Sequence, residues 1–377
     1  MEMVHLKQFR SNGHGLERVI EIIHQHKQNE GNIAVVLSAR QQATDTLENL
    51  LQNASKGVLD KSALKEFEKY QKSVSSSIDY SQEITQLSKR LEGVSLVGDY
   101  SLKTKDEVLS IGELISCRLV VSILKERGIN AVLIDARELL QTDSNFGDAQ
   151  IIEKVSKTKV LQRFENLDSD SVPIITGFIA SNEKGETTTL GRNGSNYTAA
   201  LFANYLDAVE VLNYTHVDGI FTANPDYVSQ AKIIENLSYG EANELANFGA
   251  NVLHAKTIIP LIEKNIPLRI LNTFNPISKG TLISSKTKKE GIKSLSVIED
   301  VAMINLEGRG LLGKVGIDAR IFTSLGRQNI NVSIISQGSS ERGIGLVVSS
   351  VDARAAKKAL DTEFATDFSA QANIWRK

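Results

Sequence analysis

The chain has 377 residues, 41% of them hydrophobic, and 43 basic against 45 acidic residues, well mixed along its length, leave a formal charge of −2. That length predicts two or three domains with sizeable cores, and the charge balance argues against nucleic acid or another polyanion as partner. A single cysteine, Cys117, excludes a disulfide framework within the chain, and no apolar run reaches the length of a signal peptide or membrane span, so a reducing cytoplasm is the expected setting.

Val4 to Phe9 reads as a short strand, Arg10 to Gly15 as a loop, and Leu16 to Gln28 as a helix that buries Val19, Ile20, Ile22 and Ile23. Residues 32–38 form an apolar run of the kind that lies in a parallel sheet, so strand, helix and strand open a βαβ unit. Residues 40–95 are helical in pattern and polar on one face, which predicts a solvated helical layer rather than a second core. An amphipathic helix follows from Lys103 to about Arg127, then apolar strands at Asn130 to Asp135 and Val172 to Ile179. Leu190 to Ala208 reads as a glycine turn feeding a helix, and Glu210 opens the next strand. This alternation over the first ~280 residues is the pattern of an α/β domain with a doubly wound, mainly parallel sheet, whose ligands sit at the C-terminal ends of strands.

Near Lys279 to Thr281 the style changes, and residues 1–290 and 291–377 are expected to be separate domains. The second reads as a strand (Val301 to Leu306), a glycine turn (Gly308, Gly310, Gly313), a helix (Val315 to Arg327), two strands (Asn331 to Ser336, Gly343 to Ser350) and a helix from Val351 to about Phe364. This βαββα order predicts a small α+β module for ligand binding or pairing.

The most informative stretch is TTTLGRNGSNYTAA, residues 187–200. A strand that breaks at a glycine turn and feeds a helix leaves unpaired backbone N–H groups at the helix start, where a phosphate or carboxylate can approach closely. Arg192 adds a planar, permanently charged fork suited to such a group. An ordinary strand-to-helix turn with a surface arginine has the same pattern.

That stretch resembles the TTLGRGGSD signature of aspartate kinases, within the wider amino-acid kinase family. Other segments resemble the family's motifs in the same order: VVLSARQQATDTL (35–47), DEVLSIGELIS (106–116), Gly177-Phe178, THVDGIFTANP (215–225), FGANVLH (248–254) and Lys279-Gly280-Thr281. Residues 295–365 resemble an ACT regulatory module, and the wording is closest to the kinase part of bifunctional aspartate kinase–homoserine dehydrogenases. The resemblance implies transfer of a phosphoryl group from MgATP to the β-carboxylate of L-aspartate, on the route to lysine, threonine and methionine. It also implies Arg192 on the substrate α-carboxylate, Glu113 at the amine, and Ser38 and Thr44 lining the aspartate pocket. Lys7 would neutralise the transferring group beside Asn196. Gly191, Thr215, His216, Phe221 and Asn251 would serve the nucleotide. No protein-held metal is implied beyond the Mg2+ that accompanies ATP.

The match departs from the family at several charged or glycine positions. Phe9 and Arg10 stand where two glycines would wrap the phosphates, so either Gly13 and Gly15 supply a displaced nest or the loop is a plain surface turn. Asn196 stands for an aspartate, keeping size and an acceptor oxygen without the charge, and it is also a good residue for capping a helix that begins near Tyr197. His216, Phe221, Asn224, Asp226 and Asn251 replace aspartate, tyrosine, aspartate, arginine and lysine. His216 and His254 are too isolated in sequence to suggest a metal site, and Cys117 reads as a small core residue.

By the same resemblance the C-terminal module would pair edge to edge in a homodimer and take an amino-acid effector, threonine or lysine. Gly310 and Gly313 would stand in the receiving turn, and Asn331 and Gln337 on the adjacent strand. A homoserine dehydrogenase partner or fusion is a further implication. Two readings remain: an active aspartate kinase, or a catalytically weakened regulatory or assembly partner that keeps the fold.

Overall fold

The computed structural model describes residues 4–9, 15–75, 78–247, 255–286, 291–307, 315–337 and 343–365. The chain divides into two compact units, Met1–Ser296 and Val297–Lys377. In the first, the elements run β1 (His5–Phe9), α1 (Leu16–Glu30), β2 (Ile33–Leu37), α2 (Ala43–Ser55), α3 (Lys61–Lys72), α4 (Ser81–Val97), α5 (Leu102–Glu126), β3 (Ala131–Ile134), α6 (Ala136–Leu139) and β4 (Gln141–Thr142). They continue with α7 (Glu153–Glu165), β5 (Val172–Thr176), β6 (Ile179–Asn182), β7 (Thr187–Thr189), α8 (Gly194–Tyr205), β8 (Glu210–Thr215), β9 (Asn236–Ser238), α9 (Tyr239–Asn247), α10 (Ala255–Lys264), β10 (Leu268–Asn272) and β11 (Thr281–Ser284).

Eight strands form one sheet in the order β3-β5-β2-β1-β8-β10-β11-β9, and every pairing is parallel except β10 with β11. One face packs Phe9, Val35, Leu37, Leu212 and Ile174 against helices α1, α2 and α5. The other packs Leu6, Val36, Val211 and Ile175 against α8 and α10, giving the two buried faces that an apolar parallel sheet requires. From β1 the chain passes through α1 to β2 on one side, whereas β8 lies on the other. The winding therefore reverses between β1 and β8, which is where such sheets open a crevice at their C-terminal edge.

Three local expectations are corrected. The strand expected over Val172 to Ile179 breaks at Gly177, whose N–H donates to the Leu37 carbonyl at 2.8 Å while Ile179 N–H donates back to Gly177 at 2.7 Å. Phe178 then takes a left-handed φ of 68°, and the chain leaves the main sheet for a small one of order β4-β6-β7. Helices α2, α3 and α4 are not a mere solvated layer: Leu47, Leu51, Phe67, Leu87, Leu91 and Val94 extend the core that α1 and α5 share. Asn196 does not cap α8. That helix begins at Gly194 after Asn193, which takes φ 56° and makes no side-chain cap bond, so Asn196 lies in the first turn.

The second unit shows the expected βαββα order: β12 (Val301–Glu307), α11 (Ile317–Gly326), β13 (Val332–Gln337), β14 (Gly343–Ser349) and α12 (Ala353–Glu363). Its antiparallel sheet, β12-β14-β13, buries Ile304, Leu346 and Val348 with Ile321, Leu325, Ala356 and Leu360 from the helices. Strand β13 lies at an edge with a register irregularity between Val332 and Ile334, and it exposes Ile334 and Ile335. Among the described residues no helix is long and apolar enough to cross a membrane.

Candidate active site

The turns that follow β2 and β5 and the turn from β7 into α8 meet at the C-terminal edge of the sheet. Gly177 makes this possible. A Cβ there would lie 2.5 Å from Ser195 Cβ and 2.9 Å from the Leu37 carbonyl oxygen, so only glycine lets the end of β2 and the start of α8 close on the same point. Gly191 is required twice over, because its φ is +75° and a Cβ would come 2.4 Å from Asp148 Oδ1. Asp106 fixes the strand before it. Its buried carboxylate accepts from the Gly147 and Thr189 N–H groups at 2.9 and 3.0 Å and from Thr189 Oγ1 at 2.8 Å.

Helix α5 lays Glu113 beneath the loop that follows β2, where Ala39 N–H donates to its Oε1 at 3.3 Å. Oε2 is buried and has no partner. Burial pushes the Glu113 carboxyl up to about 8, and backbone bonds from Ala39 and from Glu113 itself offset only part of that. A half-satisfied buried carboxyl beside an anion-binding turn suits a ligand that carries its own ammonium group. Ser38 stands just before Ala39, and Thr44 is half-buried in the first turn of α2. Arg192 is exposed on the turn, with its guanidinium in no ion pair among the described residues. The edge therefore combines a free cation, a helix start and a buried acid, the complement of an amino acid's two charged ends.

Beyond β8 the expected nucleotide segment is held firmly. Thr215 is buried at the strand end and accepts from His216 N–H at 2.6 Å, while His216 itself is exposed. Asp218 accepts from Asn272 and Asn275 at 2.7 and 3.0 Å, and Ile220 N–H donates to Thr281 Oγ1 at 2.8 Å. Phe221 is half-buried, and its carbonyl accepts from Ser294 Oγ at 2.9 Å.

Lys7, expected at the phosphates, is placed elsewhere. Its fully buried side chain runs to the N-terminal edge of the sheet, 2.7 Å from Glu30 and 3.8 Å from Glu210. The reason lies in the pleat: Lys7 pairs with Val35 and Leu212, on the face covered by α1, whose last turn carries Glu30. Burial lowers the Lys7 pKa despite these partners. Burial alone would raise the Glu30 carboxyl, but bonds from His26 and Lys7 outweigh it and hold the group at about 2. His5, Glu30 and Glu210 could themselves ligate a cation, and the Lys7 ammonium already fills that role. Phe9, further along the same face, stacks on Tyr214 with ring centroids 4.7 Å apart.

The polar β1 residue on the α8 side is Gln8, which the motif match did not single out. It lines a recess with Asn196, Asn213 and Thr257. The signal was available in the alternation Leu6, Gln8 against Lys7, Phe9, but only once the direction of one residue was known. Asn251, Gly310, Gly313 and positions 10–14 of the altered loop lie outside the described residues. Asn331 and Gln337 are both exposed, the first just before the edge strand β13 and the second at its end.

The family model described as "Amino acid kinase family" matches residues 8–272, and one described as "ACT domain" matches residues 304–364. The chain is 36% identical over 287 residues to the bifunctional aspartokinase/homoserine dehydrogenase of Haemophilus influenzae, covering 76% of this chain and 35% of that protein. It is 39% identical over 245 residues to lysine-sensitive aspartokinase 3 of Escherichia coli K12, covering 64% of this chain and 54% of that one. Among solved structures, E. coli aspartokinase III in complex with aspartate and ADP superposes with a TM-score of 0.78 at 31% identity, over 92% of this chain and 79% of that one. The chain thus spans about a third of the length of the bifunctional relative.

Proposed function

The chain belongs to the amino acid kinase family and carries an ACT domain, and from that membership we propose that it is an aspartate kinase, transferring the terminal phosphoryl group of MgATP to the β-carboxylate of L-aspartate. The observation that carries this reading is the meeting of Arg192, the α8 start and the half-satisfied Glu113 at one edge beside the β1/β8 reversal. Arg192 holds the α-carboxylate, Glu113 receives the ammonium group, and Ser38 and Thr44 line the pocket. Thr215, His216 and Phe221 border the nucleotide, Gly191 admits it closely, and Asn196 stands beside the transferring group. Catalysis in this arrangement is positioning, with the β-carboxylate aimed in line at the terminal phosphorus.

The nearby acids fit a metal borne by the nucleotide rather than one held by the protein. Asp106 accepts three bonds, Asp218 accepts from Asn272 and Asn275 through Oδ1, and Asp148 is paired with Lys256, so each of these carboxylates is already engaged by the protein. Mg2+ accompanying ATP would neutralise charge on the phosphates.

Glu113 makes the reaction pH-dependent. Its folded pKa of about 8 lies above the ordinary glutamate value of 4.5, so its contribution to stability is full below 4.5 and is lost as pH rises through 8. An ammonium-bearing substrate binds the ionised form, so the KM for L-aspartate should fall between pH 6 and 8, by up to about 50-fold, with proton uptake by buffer on binding at pH 7. Initial rates across that range, with calorimetry in two buffers of different ionisation enthalpy, check this. A flat KM with no proton release removes Glu113 from the amine.

The C-terminal module would take an amino-acid effector, lysine or threonine, near Asn331 and Gln337, and form a homodimer through its exposed edge. Fusion or partnership with a homoserine dehydrogenase belongs to the same reading, as does a cytoplasmic setting. A second reading, a regulatory or assembly partner with weakened turnover, rests on the burial of Lys7 against Glu30. A coupled assay of ADP release from MgATP and L-aspartate separates the two. Aspartate-dependent release supports the enzyme, whereas none above blank, together with a thermal shift on adding lysine or threonine, supports the partner.

A further inference from the structure

The loop from β2 into α2 runs from Ser38 to Gln42, and Arg40 in its middle is only 3% exposed. Its guanidinium joins no ion pair among the described residues. Instead Nη1 donates to the Tyr70 and Gln71 carbonyls at 2.5 and 3.4 Å, and Cζ lies 4.0 Å from the centroid of the Tyr70 ring. Those carbonyls belong to the last turn of α3, where they lack partners within the helix and the macrodipole favours a cation. Burial lowers the Arg40 pKa, and its Nε, the Gln71 amide and the hydroxyl of neighbouring Tyr80 are buried without partners. A cation in such company is a costly way to fill a core, where an apolar side chain of similar volume does as well or better.

The place of Arg40 in the chain gives it another use. On one side is Ala39, whose N–H donates to Glu113 at 3.3 Å and whose Cβ sits over Gly112 of α5, only 3.1 Å from where a Cβ on that glycine would lie. On the other, the Arg40 carbonyl accepts from Ala43 N–H at 3.0 Å, opening α2 one residue before Thr44. Between them Gln42 takes a left-handed φ of 63°, which a glutamine keeps only where its surroundings hold it.

We infer that Arg40 is a positioning residue for the aspartate pocket: by gripping the C-terminal turn of α3 it fixes the loop that sets Ser38 and Thr44 against Glu113. This rests on the kinase reading above and deepens it. Removing the guanidinium should loosen the loop and weaken aspartate binding with little loss of stability, because the carbonyl bonds given up are offset by the desolvation no longer borne. A core truncation elsewhere in the same helical layer should do the reverse, lowering stability and leaving the loop in place.

The experiment compares the full chain with Arg40→Met, Arg40→Lys and, as a control in α4, Leu91→Ala, by melting temperature, amide hydrogen exchange over residues 38–47 and initial rates. Arg40→Met is expected to melt within about 3 °C of the parent, to exchange those amides about tenfold faster, and to raise the KM for L-aspartate about tenfold while the KM for MgATP stays within about twofold. Arg40→Lys keeps a donor for the α3 carbonyls but loses the planar stack, and is expected to fall between the parent and Arg40→Met in both exchange and KM. Leu91→Ala empties a buried site, so it is expected to melt several degrees lower with exchange over 38–47 and both KM values unchanged. Unchanged exchange or unchanged aspartate KM in Arg40→Met overturns the inference. So does a fall in melting temperature as large as that of Leu91→Ala with both KM values rising together, which would mark Arg40 as a core residue only. If Arg40→Met does not fold, Arg40→Lys decides by the exchange measurement, where no increase overturns the inference. Should the parent neither bind L-aspartate nor release ADP, the kinase reading fails by itself, and exchange over 38–47 still decides whether Arg40 holds the loop.

Discussion

Replacing Arg192 by alanine is expected to lower kcat/KM for L-aspartate about 100-fold, corresponding to roughly 3 kcal/mol of lost transition-state binding, with little change in melting temperature. The guanidinium is exposed and joins no ion pair among the described residues, so its removal leaves no buried charge behind and the fold should not register it. The turn that presents it is rigid: Gly191 and Asn193 both take positive φ, and Asp106 pins the preceding strand. A planar fork held in one direction forms two charge-assisted bonds to a carboxylate, and this is why Arg192→Lys should recover only part of the loss. Initial rates against aspartate at saturating MgATP test it. An unchanged KM for aspartate would mean that the α-carboxylate binds elsewhere.

Gly177→Ala should be the most damaging single substitution at the site for stability. The added Cβ meets Ser195 Cβ at 2.5 Å, Ser195 Oγ at 2.6 Å and the Leu37 carbonyl oxygen at 2.9 Å, and neither a backbone carbonyl nor a buried short side chain can swing away. A cost of about 3 kcal/mol is expected, a fall in Tm of roughly 8 °C, with loss of turnover because the end of β2 and the start of α8 are forced apart. Ser195→Gly in the same chain removes two of the three clashes and should restore part of the Tm. A double variant no more stable than Gly177→Ala would show that the strain arises at Leu37 alone.

Much of this was legible because it is local. A β-branched run, a glycine turn and an apolar helix face within residues 187–206 are enough to place an anion site at a strand-to-helix junction, and the structure has β7, the turn and α8 there. Motif order supplied Glu113, and the structure gives it the buried, half-satisfied setting its proposed role needs.

The less legible features depended on tertiary direction. The split of β5 from β6 turns on a bond between Gly177 and Leu37, residues far apart in sequence, so an apolar run over Val172 to Ile179 looked continuous. The start of α8 at Gly194 follows from a left-handed Asn193, which composition does not announce. Above all, Lys7 and Gln8 lie on opposite faces, and in a strand one residue separates the two. The motif match set the lysine at the phosphates, but α1 and β8 bring Glu30 and Glu210 to it at the far edge of the sheet.

The central claim is that the edge formed by Arg192, the α8 start and Glu113 aims a small amino acid's side-chain carboxylate at a nucleotide's terminal phosphate. Its most direct measurement is chemical capture of the product: incubation with MgATP, L-aspartate and hydroxylamine, followed by assay for the hydroxamate that an acyl phosphate yields. Hydroxamate formed in step with ADP, dependent on L-aspartate and sharply reduced in Arg192→Ala, is the predicted result. ADP released without hydroxamate, or no ADP from a folded protein saturated with both substrates, would contradict it.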